Sequence, residues 1–222
     1  MPLAKSEQPA GGTRWAAWHI EEPEEWFLSA LPGIAADEPP FEALKGRLRL
    51  ERLASRYLLW QLLGEAAYST VFKDDKGRVH CGEPGMFIAV SHSAGYAAAI
   101  RGNSPVGIDI QVWAPKLERL APKFMREDET ASLSAQDPLA HLHVFWGAKE
   151  ALFKAWGRGG IDFRANLIVA PFIYDEKGGL FEARIEKGDE LLRFNLGYCL
   201  LGTYMLVYAE NVDYTLLNAP LR

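Results

Sequence analysis

Apolar positions along the chain form two long helical stripes, each accompanied by short alternating runs. In residues 41–64, FEALKGRLRLERLASRYLLWQLLG, Leu44, Leu48, Leu53, Leu58, Leu59 and Leu62 recur at roughly helical spacing, and Gly64 provides a stop. Residues 139–157, LAHLHVFWGAKEALFKAWG, predict a second strong helix that ends at Gly157. Residues 116–135 predict a further helix with a charged middle, REDET. Between the stripes, residues 14–20, 86–93, the segment after the Ala94-Gly95 turn, and 106–113 read as strands. The last three follow in close succession, which predicts antiparallel pairing. Further strands are expected at 166–174, 180–186, 191–198 and 202–209. DDKG at 74–77 is a turn, and the proline-interrupted stretch from Glu21 to Pro40 predicts loops and short helical turns.

Each half therefore offers one dominant helix and several strands. The expected fold class is α+β, with two similar lobes. Each lobe would be a small, mainly antiparallel sheet packed on a long helix, and the active site would lie in the cleft between them. Residues 1–12 are expected to be a flexible lead-in, 13–104 the first lobe and 105–222 the second, with the boundary near the Asn103–Pro105 turn. One chain would supply both lobes, so a monomer is the expectation.

Composition narrows the function classes. The 222 residues are 49% hydrophobic and 24% charged, and 29 acids against 24 bases give a net charge of -5. An acidic balance argues against a dedicated nucleic-acid binder. No apolar run reaches the ~18 residues a membrane span needs, so no membrane partner is expected. Cys81 and Cys199 are too few for a disulfide framework or a cysteine-rich zinc site, which fits a reducing, cytoplasmic setting.

Four groups of residues could carry chemistry. In GIDIQ, 107–111, strand alternation puts Asp109 and Gln111 on one face and Ile108 and Ile110 on the other, toward the core. Asp109 suits a hard cation such as Mg²⁺, with the Gln111 amide oxygen as a weak neutral second ligand. Gly107 allows close approach by a ligand or a neighbour. In WGAKEALFK, 146–154, Glu150 and Lys154 share a helix face. They read either as a plain surface pair or as a metal ligand or base beside a phosphate-binding cation. Trp146, Phe153 and Trp156 would anchor that helix. In SHS, 91–93, Ser91 and His92 point to opposite faces of a strand and should not bond each other; holding phosphate oxygens suits them better than nucleophilic catalysis. The helix face bearing Lys45, Arg47, Arg49, Arg52 and Arg56, with Lys76 and Arg78 downstream, reads as a solvated face or a phosphate-binding one. Gly157, Gly159 and Gly160 follow a helix rather than open one, and mark a stop and turn.

Taken in order, VSHSAGYAAAI, GIDIQ and WGAKEALFKAWG resemble the signature of the 4'-phosphopantetheinyl transferase superfamily, in its longer two-lobed type. The last motif matches in full. The middle one departs at its end, where Gln111 stands in place of glutamate. The resemblance is good over about residues 45–165 and looser beyond. It implies transfer of 4'-phosphopantetheine from coenzyme A to a serine of an apo acyl- or peptidyl-carrier protein, with Mg²⁺ on the pyrophosphate and release of 3',5'-ADP. It further implies Asp109 and Glu150 as metal ligands, Glu150 also as base, and Lys154 beside the departing pyrophosphate. Ser91, His92 and Arg78 would be coenzyme A contacts, with His92 near the 3'-phosphate. Arg47, Arg49 and Arg56 lie where further basic contacts are expected, without a choice among them. Glu129, in FMREDE, matches a family acid of less defined role. The competing expectation is a non-catalytic coenzyme A-binding module, degenerate at Gln111. An acidic carrier protein would meet basic or apolar residues, expected near Lys116, Lys123, Phe124 and Met125.

Overall fold

The computed structural model describes residues 3–9, 12–31 and 44–216. By internal packing the chain divides into two compact units, Met1–Asn103 and Ser104–Arg222. Each is described by itself.

The first unit contains strands β1 (Leu3–Glu7) and β2 (Arg14–His19), helices α1 (Glu24–Ala30), α2 (Gly46–Leu63) and α3 (Glu65–Tyr68), and strands β3 (Val71–Lys73), β4 (Val79–Cys81), β5 (Phe87–Ser93) and β6 (Tyr96–Gly102). Four of these form an antiparallel sheet in the order β1-β2-β6-β5, while β3 and β4 make a separate ribbon. The long helix α2 packs on the sheet through Leu53, Ala54, Leu58 and Leu59, all buried. Beneath it, Ala97 and Ala99 of β6 join the same core. Their small side chains let a helix come close to a central strand.

The sequence placed residues 1–12 in a flexible lead-in. Leu3–Glu7 instead pairs with β2, with Glu7 opposite Trp15. The polar alternation Lys5-Ser6-Glu7 fits an edge strand exposed along one side, a pattern too short to stand out from its proline- and glycine-rich surroundings. The predicted helix at 41–64 is α2, beginning at Gly46; residues 41–43 and 32–40 lie outside the described residues. The DDKG turn joins β3 to β4, and Asp74 closes it by accepting the Lys76 and Arg78 backbone N–H groups.

The second unit contains β7 (Val106–Val112), α4 (Leu117–Phe124), α5 (Glu127–Ala131), α6 (Pro138–Trp156), β8 (Leu167–Val169), β9 (Gly179–Lys187), β10 (Glu190–Leu201) and β11 (Tyr204–Leu216). Its five strands form an antiparallel sheet in the order β7-β11-β10-β9-β8. Helix α6 lies on one face and stops at Gly157, which takes the left-handed conformation. Its core joins Phe145, Ala148, Leu152 and Trp156 to Leu167, Ile185, Phe194 and Val207.

The continuous helix expected at 116–135 is broken. Met125 and Arg126 are extended, and α5 starts afresh after them. The break buries Met125 in the core and lets the Glu129 carboxylate accept the Arg126 N–H. The strand expected at 166–174 is shorter, and Phe172 and Tyr174 leave the ladder to pack on an aromatic cluster with His141, Phe181 and Tyr198.

Candidate functional site

The site in the second unit is built from β7 and α6. Alternation sets Gly107, Asp109 and Gln111 on one face of β7, as the sequence predicts. That face, not the isoleucine face, looks toward α6. Ile108 and Ile110 are buried, but on the opposite side from the core under the helix. The reason lies in the glycines. A Cβ on Gly107 would overlap the Ala151 carbonyl, and one on Gly147 would stand 2.7 Å from Val207 Cγ2 and 2.9 Å from Gln111 Nε2. With no side chain at either position, helix and strand approach closely, and the groups between them are held in a tight layer.

Within that layer Lys154 reaches back from α6 and donates to the Ile108 carbonyl at 2.8 Å and to Asp109 Oδ1 at 2.9 Å. Asp109 is 7% exposed. Glu150, one turn before Lys154, is pushed up to about 7, first by burial and then by the Asp109 charge, with Lys154 opposing the shift. The Asp109 carboxylate, itself held by the Lys154 ammonium, thus stands near enough to raise the proton affinity of Glu150. Among the described residues no group of three or more His, Cys, Asp and Glu side chains gathers as a metal cluster. Asp109 and Glu150 are the two carboxylates here that could hold a hard cation such as Mg²⁺, an ion that takes one or two carboxylates and fills its shell with water and phosphate oxygens.

Gln111 has other partners. Its Nε2 donates to the His143 carbonyl at 3.0 Å, and its Oε1 lies 3.3 Å from His143 Nδ1. The Ala114 N–H donates to His143 Nε2 at 3.0 Å, so the ring proton sits on Nδ1 and points at the Gln111 oxygen. The amide thus ties the end of β7 to α6.

The motif lysine the sequence reading passed over is Lys149. It is wholly buried, donates to the Phe124 and Phe163 carbonyls, and stands 2.7 Å from Glu129 Oε2. Burial pushes the Lys149 ammonium down, and Glu129 opposes that. Glu129 also accepts from the Val169 N–H through Oε1. It therefore holds together α5, α6 and β8. The signal was present: Lys149 falls on the stripe of Leu142, Phe145, Leu152 and Trp156, which is the core side of the helix. Trp146 packs edge-on to Phe124 at 4.9 Å between ring centres, and Trp156 donates to the Gly159 carbonyl. Phe124 and Met125, expected at a partner-contact surface, are 2% and 3% exposed and belong to the core; the last residue of α4 and the extended residue after it both turn inward, while Lys116 and Lys123 stay at the surface.

In the first unit, Arg52, Ser55, Arg56, Lys73 and His92 line a pocket of about 220 Å³. Arg56 is nearly wholly buried and Ser91 is buried beside His92 in β5. Arg49 donates to Glu24 at 2.6 Å, and Arg47 lies 3.2 Å from Glu51. Of the three arginines singled out by sequence, Arg56 is the one in this pocket. Arg78 follows the turn, just before β4, and is not among the residues lining the pocket. Lys73 was missed because a lone lysine on a three-residue strand carries no pattern.

Residues 105–195 match the model of the 4'-phosphopantetheinyl transferase superfamily, a span that includes Asp109, Glu129, Glu150 and Lys154. Over that span the chain is similar to the superfamily. A 4'-phosphopantetheinyl transferase from Bacillus subtilis is 30% identical over 79 residues, which are 34% of this chain and 35% of that protein. The chain thus spans about a third of the length of the curated relative it matches. Among the described residues no helix is long and apolar enough to cross a membrane.

Proposed function

We propose that the protein transfers 4'-phosphopantetheine from coenzyme A to a serine of an apo acyl- or peptidyl-carrier protein. The observation that carries this reading is the layer of Asp109, Glu150 and Lys154 between β7 and α6, inside the span that matches the superfamily. Asp109 and Glu150 would hold Mg²⁺, which when bound offsets charge on the diphosphate of coenzyme A. The carrier serine Oγ attacks the phosphorus that bears the pantetheine arm. The bond from that phosphorus to the bridging oxygen breaks, and 3',5'-ADP departs with the electron pair. Glu150 takes the serine proton, directly or through a water. A carboxyl held near neutrality suits a base at physiological pH. Lys154 is placed by the Ile108 carbonyl to stabilise the charge that builds on the leaving diphosphate. Arg56, Lys73, Ser91 and His92 of the first unit would bind phosphate oxygens of coenzyme A. The proposal includes a cytoplasmic setting, which suits a chain with two cysteines, Cys81 and Cys199.

The second reading, a coenzyme A-binding module without catalysis, rests on Gln111, whose amide is occupied by His143 where the family motif has a carboxylate. Incubation with coenzyme A, Mg²⁺ and apo carrier proteins separates the two. A gain of about 340 Da on the carrier, the mass of the phosphopantetheine arm, is the catalytic outcome. Calorimetric binding of coenzyme A without that gain on any carrier is the outcome of the module.

A further inference from the structure

Amid the basic face of α2 stands one buried acid. Glu51 is 7% exposed, and its carboxylate takes donors from three directions. Oε2 lies 3.0 Å from His92 Nδ1, while Oε1 accepts the Gly95 N–H at 3.0 Å and faces Arg47 Nε at 3.2 Å. A carboxylate can only accept, so the His92 proton on that side is fixed on Nδ1. The ring's other edge, with Nε2, is left to the pocket that His92 lines. In the neutral ring that edge is a lone pair, which repels a phosphate oxygen. Only the doubly protonated ring donates there.

The groups that face His92 explain why Glu51 matters. From α2 come Arg52 and Arg56, and from β3 comes Lys73. From β4 comes Val79, and the register partner of His92 on β6 is Ala97, both uncharged. Three cations thus line the pocket with the ring, and the Glu51 carboxylate holds its Nδ1. A phosphomonoester dianion entering the pocket would tip the balance toward the imidazolium.

We propose that Glu51 is a positioning residue that holds His92 as the Nδ1–H tautomer and makes capture of a phosphomonoester in this pocket dependent on proton uptake. The proposal rests on the coenzyme A reading and adds a proton linkage to it. Coenzyme A carries such a group and dephospho-coenzyme A lacks it, so the pair reports on the pocket directly.

The test is calorimetry of both ligands on the full chain, between about pH 6 and about pH 8, in buffers of different ionisation enthalpy. Wild type is expected to take up a proton with coenzyme A and none with dephospho-coenzyme A. Its affinity for coenzyme A should weaken as pH rises, by up to about tenfold per pH unit. In Glu51→Gln the loss sets in at lower pH, so affinity at neutrality drops several-fold for coenzyme A and little for dephospho-coenzyme A. An unchanged pH profile in a folded Glu51→Gln overturns the proposal. So does coenzyme A binding to wild type with no proton uptake, which leaves the coenzyme A reading standing. Absence of coenzyme A binding at every pH removes that reading and this one with it. If Glu51→Gln does not fold, nitrogen-15 imidazole spectra of wild type decide: neutral His92 protonated at Nδ1 supports the proposal, and at Nε2 overturns it.

Discussion

Lys149 Nζ lies 2.7 Å from Glu129 Oε2, with both side chains fully inside the second unit. Each has further partners, the Phe124 and Phe163 carbonyls for the lysine and two backbone N–H groups for the glutamate. The pair joins α5 and β8 to the middle of α6, one residue before Glu150. Removing one partner leaves a buried charge without its counterion, which costs about 3–5 kcal/mol. Lys149→Met should lose that much in urea unfolding. A loss below about 1 kcal/mol would show that the pair does not hold the helix.

The close approach of α6 to β7 depends on a missing side chain. Gly107→Ala would drive a methyl into the Ala151 carbonyl, which cannot yield without moving the helix that carries Glu150 and Lys154. The expected cost is about 3 kcal/mol or more, read as a lowered melting temperature. A melt equal to wild type would mean the helix sits farther from the strand than described.

Two groups should shape the pH dependence of stability, with opposite signs. Burial lowers His141 from 6.5 to about 4, so the unfolded chain binds the proton first on acidification. Its contribution is full above 6.5 and is lost as pH falls toward 4, a loss of up to about 3 kcal/mol. Glu150, raised from 4.5 to about 7, works the other way: the folded chain holds its proton longer, and that stability is lost as pH rises through 7. Over 4.5–6.5 the two slopes oppose each other, so as pH rises the unfolding free energy should fall in His141→Asn, where the Glu150 slope is unopposed, and rise in Glu150→Gln, where the His141 slope is unopposed. Wild-type slopes retained in both variants would contradict these assignments.

Gln111→Glu restores the acid of the family motif. A glutamate there adds charge beside Asp109 and Glu150, and the Mg²⁺ concentration for half-maximal transfer should fall. It also faces the His143 carbonyl with an acceptor where the amide donates, so the fold should lose about 1–3 kcal/mol. Mg²⁺ titration and urea unfolding of the same variant measure both. No fall in the Mg²⁺ requirement would count against a metal beside this strand.

Much of the site was legible because its spacing is local. Glu150 and Lys154 share a helix face by number alone, and Asp109 and Gln111 share a strand face. What the helix does to the strand was not legible. Alternation assigns two faces to β7 but cannot say which one meets α6. Ile108 and Ile110 are buried as expected, but both faces are buried and the closer contact with the helix is made where glycine stands. Lys149 and Glu51 were hidden for a related reason. Each lies on the inward side of its helix, but a charged residue on a buried stripe reads as an exception until its partner, distant in sequence, is seen. The break at Met125 likewise depends on Glu129 turning to Lys149, a tertiary contact that overrides a continuous helical pattern.

The account stands most directly on product stoichiometry. With coenzyme A, Mg²⁺ and an apo carrier protein, wild type should release one 3',5'-ADP for each carrier serine modified, and a folded Glu150→Gln should release almost none. Coenzyme A bound but never cleaved across a panel of apo carriers, or full turnover in Glu150→Gln, would contradict it.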